Sequence, residues 1–428
     1  MRRSAVVTLG CFGATLLVAW LFQQYALGAA AVDHSAVHDW VAGNDLYAGR
    51  TGTVLTPPGA ILFAPAAVLP LPAVGWMLAL AGVVALLLGL IALVGPVARR
   101  YGRRRGPAVA TAAALALLTE PVRATLGLGC LDLIVFGLVT ADVVALRRSA
   151  WARSRAAWWP GLPASHPPRG RSGVLRRFWE TGAWAGIGVG VATALTVSPV
   201  LFLAYLVVSR QWRAAITAAA TTASMLVAAF LIAPRTTSTW FGSVLPKLDR
   251  SGSLDALDNQ SLAGVLARLY DSATTPVLIW LSFAGLLVAV GMIRARSAHA
   301  EGDEITAFTL VGLTGAAIGP VSRIHELVWV LPAILILVDA AARRRVAVRR
   351  FRPERFPGAR FAISAAVVYA LLVVDPRWTA GWDAYAIVLI ALLNALPWRP
   401  GVAPAVPARR RPEPAARRAP AIPGPRGS

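Results

Sequence analysis

The chain has 428 residues, of which 57% are hydrophobic and 14% charged, and its formal net charge is +22. Soluble globular chains carry about 25% charged residues, so the composition excludes an ordinary soluble domain and predicts an all-α, polytopic membrane protein. The basic residues are nearly all arginine and lie between apolar segments. That pattern favours positive-inside topology and contact with anionic membrane lipids over binding to nucleic acid. The Arg-rich, Lys-poor composition is typical of a high-GC genome such as that of an actinobacterium.

Apolar segments separated by short polar stretches run along the whole chain. Several are shorter than the roughly 20 residues that a spanning helix needs, so we expect about 12 transmembrane or re-entrant helices, within a range of about 10–13. The predicted segments are 5–29, 72–96, 107–119, 129–146, 181–196, 199–208, 212–233, 276–294, 305–320, 326–342, 360–374 and 383–397.

The distribution of charge predicts the orientation of these segments. Arg2 and Arg3 precede the first one and place the N-terminus inside, although the alanines at 29–31 also resemble a signal-peptide cleavage site. Only eight of the 42 basic residues then fall in outer segments, as expected for a multi-pass plasma-membrane protein. Residues 1–398 are predicted to form the membrane domain, and the Pro- and Arg-rich stretch 399–428 a disordered cytoplasmic tail.

The first predicted outer loop carries an acidic residue in an unusual place. From Ser35 to Leu46, apolar and polar residues alternate at near-helical spacing, which predicts a short amphipathic helix in the membrane interface. Asp33 lies where the first segment meets this helix. A carboxylate partly withdrawn from water has a raised pKa, which suits a base that acts on an alcohol. A solvated cap for the following helix is the alternative for Asp33.

Three further polar clusters fall on the same predicted face of the membrane. Ionisable groups at membrane depth are costly, so such clusters indicate a functional site. No His/Cys/Asp/Glu group has the spacing of metal ligands and no Gly-rich phosphate loop occurs, so we expect no metal, no cofactor and no nucleotide-sugar donor. The clustered residues are Glu120, Pro121 and Arg123, then Asn259, Gln260 and Ser261, then Ser322, Arg323, His325 and Glu326.

Motifs occur in a characteristic order along residues 25–340. They are Asp33 in the first loop, Pro57-Pro58, Gly129-Cys130-Leu131-Asp132, the Gly186 to Pro199 hairpin, Asn259-Gln260-Ser261, and Pro320-Val321-Ser322 followed by His325. In order and spacing, the chain resembles glycosyltransferase family 87, one of the C superfamily of integral-membrane glycosyltransferases. That family is known for polyprenyl-phosphate-mannose-dependent α-mannosyltransferases.

Several motif positions depart from the family pattern, and these departures concern sugar and acceptor specificity. Thr56 stands where the family has Tyr, Cys130 and Asp132 where it has Gln and Asn, Thr196 where it has Lys, Arg323 where it has Trp, and Glu326 where it has a second His.

The resemblance implies a transferase that moves a sugar, mannose foremost, from a polyprenyl-phosphate donor to a lipid-linked or glycan acceptor. The reaction would take place on the outer face, in the synthesis of cell-envelope glycolipid or polysaccharide. It makes Asp33 the base and His325 the hydrogen-bond donor to the phosphate. Arg323 and Arg123 would clamp the phosphate, because a guanidinium offers paired donors. The sugar or acceptor would be held by Asn259, Gln260, Ser261, Ser322 and Glu326.

Other interpretations stay open at the level of sequence. The donor could carry arabinofuranose, or the protein could be a transporter or flippase for lipid-linked sugars, since transporters also use broken helices and polar groups. A catalytically silent homologue is a further alternative. His325 could cap an interfacial helix, Arg123 could contact a lipid headgroup, and the polar residues of 259–261 could serve only to form a turn.

Overall fold

The computed structural model describes residues 2–48, 52–158, 171–247, 253–270, 277–351, 358–375, 378 and 380–399. Within these ranges the chain is helical and contains no β-strand, which confirms the all-α prediction. The α-helices are α1 (Arg2–Tyr25), α2 (Gly28–Val41), α3 (Pro57–Phe63), α4 (Leu71–Arg100), α5 (Arg105–Leu117), α6 (Glu120–Leu128), α7 (Asp132–Trp158), α8 (Arg171–Thr181), α9 (Ile187–Leu195), α10 (Val200–Val208), α11 (Trp212–Ile232), α12 (Pro234–Thr239), α13 (Leu262–Leu269), α14 (Val277–Ala300), α15 (Glu304–Ile318), α16 (Val330–Phe351), α17 (Ala359–Val373) and α18 (Ala384–Ala395).

Four helical segments of the described chain are long and apolar enough to cross a membrane. They are α4, α11, α14 and the segment Ile324–Arg345, which joins the 3-10 helix Ile324–Trp329 to α16. The number rises to six if the bent pairs α1–α2 and α5–α6 each count as one span. The predicted count of about 12 is not confirmed. Helices α9, α10, α15, α17 and α18 lie at predicted segments but are shorter than a full span, and α7, although it has 27 residues, is not among the candidate spans.

The first predicted apolar segment, 5–29, is broken by a sharp bend near its end. Ala26 and Leu27 adopt positive φ angles of 54° and 51°, and α2 turns 75° away from α1. An amphipathic interfacial helix from Ser35 to Leu46 was expected; the structure has a helix here, α2, that begins and ends earlier, at Gly28 and Val41, and its place in the interface stays a prediction. Because of this bend and its polar residues, we treat α2 as a surface helix outside the spanning segments.

An aromatic cluster lies behind the 3-10 helix Ile324–Trp329. The Trp329 ring centroid lies 5.2 Å from that of Phe136 on α7 and 5.0 Å from that of Phe202 on α10. Trp329 also packs on Gly312 of α15, where a Cβ would lie 2.1 Å from the indole. This packing fixes the end of the 3-10 helix against three other helices.

Polar contacts divide the molecule into two ends. One, here called the basic end, contains a cavity lined by Arg100, Arg147, Asp303, Glu304, Asp339, Arg343 and Arg399. The other, here called the site end, contains Asp33, Cys130, Asp132, Arg323, His325 and Glu326. Arg399, the first residue of the predicted tail, pairs with Asp339, and the rest of that tail lies outside the described residues.

Candidate functional site

Asp33 on α2 is held by one short hydrogen bond. The Thr53 hydroxyl donates to Asp33 Oδ1 at 2.6 Å. Burial raises the pKa of Asp33 to about 6, and the Thr53 hydrogen bond opposes this rise by stabilising the carboxylate. The carboxylate forms no salt bridge with any described residue. Asp33 is therefore a carboxylate that can accept a proton near neutral pH, as the sequence suggested.

The rest of α2 is anchored by its own polar residues. His34 Nε2 donates to the Leu69 carbonyl at 2.9 Å, and His38 Nδ1 contacts the Ala67 carbonyl at 3.3 Å. Trp40 Nε1 donates to Thr236 Oγ1 at 3.0 Å. These contacts tie α2 to the segment before α4 and to α12, so Asp33 sits on a fixed support.

The connection between α6 and α7 lies against α2. Gly129 ends α6 with a left-handed φ of 75°, and a Cβ at Gly129 would lie 2.7 Å from the Cβ of Ala30. Only glycine allows both this conformation and this approach. The next residues, Cys130 and Asp132, are thereby brought to the site end beside α2.

A third element, the 3-10 helix Ile324–Trp329, completes the site. One ligand atom from each of Cys130, Asp132 and His325 lies within 4.8 Å of the others. His325 Nδ1 is buried and has no hydrogen-bond partner among the described residues. A thiol and a carboxylate from one turn thus meet an imidazole from a distant part of the sequence.

Charges of both signs surround the Cys130 thiol. Burial raises the pKa of Cys130, and the negative charges of Asp132, Asp33 and Glu326 raise it further, while Arg323 lowers it. Arg323 also forms an ion pair with Asp258, with Nε 3.2 Å from Oδ2. The three predicted elements therefore contribute charged groups to one electrostatic environment around Cys130.

The loop 259–261 supports the site from behind. Asn259 is buried, and its side-chain amide donates to the carbonyls of Leu254 and Pro320, both at 3.0 Å. Asn259 Oδ1 accepts the N–H of Ser322 at 3.0 Å, and the N–H of Gln260 donates to the Ser322 carbonyl at 2.8 Å. These hydrogen bonds fix the loop segment that leads into Arg323 and His325.

Ser261 and Ser322 also take part in this support. Ser261 caps α13 by accepting the Gly264 N–H at 3.2 Å, and Ser261 Oγ lies 3.2 Å from the Pro320 carbonyl. Both serines are buried, as is Gln260. The described contacts of this group hold the loop, and a direct contact with a sugar stays a prediction.

Arg123 is not brought to the centre of the site. Its Nη2 donates to Gln24 Oε1 at 3.3 Å, its Nη1 lies 3.6 Å from Glu120 Oε2, and its guanidinium lies 5.3 Å from the ring centroid of Trp20. These contacts place Arg123 between α1 and α6. Its described partners are protein groups, and a role as phosphate clamp stays a prediction.

Two residues of the site were not singled out from the sequence. Thr53 lies in no recognisable motif, so nothing in the sequence connects it with Asp33. Cys130 was noted only as a departure from a family motif, and its proximity to His325 depends on long-range packing of α6 against the 3-10 helix. No metal site was expected because these residues lack metal-ligand spacing along the sequence. Spacing along the sequence does not reveal that Cys130, Asp132 and His325 lie together in space.

These features define a helical membrane protein with a charged, partly buried site at one end of its helices. The chain belongs to glycosyltransferase family 87, whose family model matches residues 55–320. Asp33 and the residues from 321 onward lie outside this match, so the roles of Asp33 and His325 rest on geometry and on motif order. No solved structure matches the chain.

Curated relatives come from mycobacteria. The chain is 28% identical over 243 residues to a polyprenol-phosphate-mannose-dependent alpha-(1-2)-phosphatidylinositol mannoside mannosyltransferase of Mycobacterium tuberculosis, covering 57% of this chain and 49% of the relative. It is also 28% identical over 250 residues to the protein of the same description from Mycolicibacterium smegmatis, covering 57% and 49%. A phosphatidylinositol pentamannoside mannosyltransferase of Mycolicibacterium smegmatis is 24% identical over 227 residues, covering 53% and 47%. The chain spans about half the length of these relatives.

Proposed function

We propose that the chain is a membrane mannosyltransferase that takes mannose from a polyprenyl-phosphate donor and transfers it to a glycolipid of the phosphatidylinositol mannoside class. The observation that carries this proposal is the meeting of Asp33, the Cys130–Asp132 turn and the 323–326 segment at one end of a helical membrane protein. The family and the printed descriptions of the mycobacterial relatives supply the substrate class.

Asp33 acts as the base in this proposal. It takes the proton of an acceptor hydroxyl, the acceptor oxygen forms a bond to the anomeric carbon of the sugar, and the bond from that carbon to the phosphate oxygen breaks. The polyprenyl phosphate leaves with the electron pair. A carboxyl with a pKa of about 6 is largely ionised at neutral pH yet basic enough to assist this step.

The leaving phosphate needs positive charge or hydrogen-bond donors. Arg323 and His325 occupy the segment that faces the α6–α7 turn, and they supply a guanidinium and an imidazole. The carboxylates of Asp132 and Glu326 can accept hydrogen bonds from sugar hydroxyls. Asn259, Gln260, Ser261 and Ser322 keep this segment in place, and Arg123 lies at the periphery, where it can contact an approaching headgroup.

The donor carries its polyprenyl tail in the bilayer, so the site must open near the membrane surface. The positive-inside distribution of arginine supports a site end on the extracytoplasmic face. Cysteines introduced at the exposed residues Ser35 and Ser253 of a Cys11→Ala variant should react with an impermeant maleimide in intact cells. A cysteine at exposed Arg103 should react only after permeabilisation. The opposite labelling pattern would place the site inside.

A transfer assay tests the proposed reaction. Purified protein is incubated with polyprenyl-phosphate mannose or polyprenyl-phosphate arabinofuranose, each radiolabelled in the sugar, and with phosphatidylinositol mannosides. Label from the mannose donor should appear in the glycolipid. If label is transferred from the arabinofuranose donor alone, the donor sugar is arabinofuranose and not mannose. Movement of intact donor across a vesicle membrane without transfer would instead favour the flippase.

A further inference from the structure

Cys130, Asp132 and His325 offer three different metal-ligating groups at one point. A thiolate, a carboxylate and a neutral imidazole are the ligands that Zn²⁺ and similar divalent ions prefer. Their ligand atoms lie within 4.8 Å of one another, and ligands on a tetrahedral zinc ion stand about 3.5 Å apart. A small side-chain adjustment is therefore enough to close them around an ion.

Two observations indicate that a positively charged ligand would be favourable at this point. His325 Nδ1 is buried without a hydrogen-bond partner among the described residues, although buried ring nitrogens are normally bonded. The carboxylates of Asp33, Asp132 and Glu326 all act on Cys130 in the direction that raises its pKa, and the guanidinium of Arg323 acts in the opposite direction. Arg323 is itself paired with Asp258. A divalent cation would satisfy the imidazole and offset the negative charge.

The chemistry of the α6–α7 turn points to the same conclusion. Cys130 and Asp132 both carry groups that ligate metals, and both stand beside the imidazole of His325. Gly129 fixes the turn that presents them.

We propose that Cys130, Asp132 and His325 bind a divalent cation of the zinc class. Three protein ligands leave a fourth position open, as catalytic zinc sites do. We extend this to the reaction: the open position accepts an oxygen of the donor phosphate and supplies positive charge to the leaving group. This second step rests on the proposed function, whereas binding of the ion does not.

Binding is tested with Co²⁺ as the probe, on the full-length protein in detergent after removal of bound metal with a chelator. Wild-type protein and the Cys11→Ala control, which keeps Cys130, should bind about one equivalent and show thiolate-to-cobalt absorption in the near ultraviolet. Cys130→Ala should lose this absorption. The double variant Cys130→Gln/Asp132→Asn replaces both ligands by neutral amides and should fold and bind no metal. Absence of the absorption in wild-type protein, or its persistence in the double variant, would overturn the site.

The role of the ion is tested separately by measuring mannose transfer. Metal-free wild-type protein should lose at least tenfold in rate and recover it when Zn²⁺ is added back. If the protein binds the ion but transfers mannose equally well without it, the site stands and its role at the phosphate is overturned. If no sugar is transferred under any condition, the proposed function fails while the cobalt spectrum still decides the site.

Discussion

Asp339 at the basic end and Asp33 at the site end differ in the partners of their carboxylates. At the basic end, Asp339 pairs with Arg343 at 3.0 Å and with Arg399 Nε at 2.9 Å, and it accepts a hydrogen bond from the Tyr101 hydroxyl at 3.2 Å. At the site end, Asp33 is held by the Thr53 hydroxyl and has no described salt bridge. Breaking a buried ion pair destabilises a fold, so the carboxylate of Asp339 has a structural role. A partly buried carboxylate without an ion pair, such as that of Asp33, is a candidate catalytic group.

A second pair of residues shows the same contrast. Glu304 at the basic end accepts a hydrogen bond from His299 Nδ1 at 2.6 Å and from the Tyr205 hydroxyl at 3.1 Å. His325 at the site end keeps a buried nitrogen without a described partner. The histidine of the basic end is thus part of a closed network, and the histidine of the site end is available to a ligand.

The largest expected effect is that of Asp33→Asn. The amide keeps the size of the side chain and can still accept the Thr53 hydrogen bond, but it cannot take a proton. Mannose transfer should fall by about 10²–10⁴-fold, the usual contribution of a positioned base. Asp39→Asn, on the exposed face of the same helix, is the matched control and should stay near the wild-type rate. A rate above about a tenth of wild type for Asp33→Asn would move the base to Glu326 or Asp132.

Arg323→Ala and His325→Ala should follow in size. Loss of a well-placed charge or hydrogen-bond donor to the leaving phosphate costs roughly 2–4 kcal/mol of transition-state stabilisation, which is measured as a fall in kcat/KM. Asp258→Ala is the control for Arg323, because it breaks the same ion pair and leaves the guanidinium in place. If Asp258→Ala lowers the rate as much as Arg323→Ala does, the ion pair and not the guanidinium matters.

A smaller effect is expected at Thr53. Because ionised Asp33 is the active form, the rate should fall as the pH drops below about 6. The Thr53 hydroxyl stabilises the ionised form, so Thr53→Val should raise the pKa of Asp33 and move the acidic limb of kcat/KM to higher pH. Serine at this position keeps the hydroxyl and should leave the limb where it is. A limb that stays fixed in both variants would show that another group sets it.

The helical framework could be predicted from the sequence because hydropathy and arginine placement are local signals. Helices α4, α11 and α14 lie close to the predicted segments. The sharp break falls at Ala26 and Leu27, inside an apolar stretch, so the first segment was expected to run unbroken to residue 29 and the next helix to begin only at Ser35. Hydropathy does not reveal which of the short helices cross the membrane, because the depth of a short helix in the membrane depends on how it packs against its neighbours.

The candidate site could be predicted in part. Asp33, Arg323 and His325 stand out as ionisable residues in an apolar chain, and motif order linked them. The meeting of Cys130 with His325 required the left-handed turn at Gly129 and the packing of α6 against the 3-10 helix, which are tertiary features. The described hydrogen bonds of the loop 259–261 show how it supports Ser322, and its predicted contact with sugar stays a prediction.

The most direct test of the contrast between the ends compares Asp33→Asn with Asp339→Asn in one preparation, measuring mannose transfer and the melting temperature of each. Asp339→Asn weakens charge-assisted bonds to Arg343 and Arg399, so it should cost about 1–3 kcal/mol of stability and leave the turnover of folded protein largely unchanged. Asp33→Asn should lower transfer by about 10²–10⁴-fold with an equal or higher melting temperature, because it removes a partly buried charge that has no described salt bridge. Loss of activity and stability together in Asp33→Asn, or loss of turnover without loss of stability in Asp339→Asn, would contradict this account.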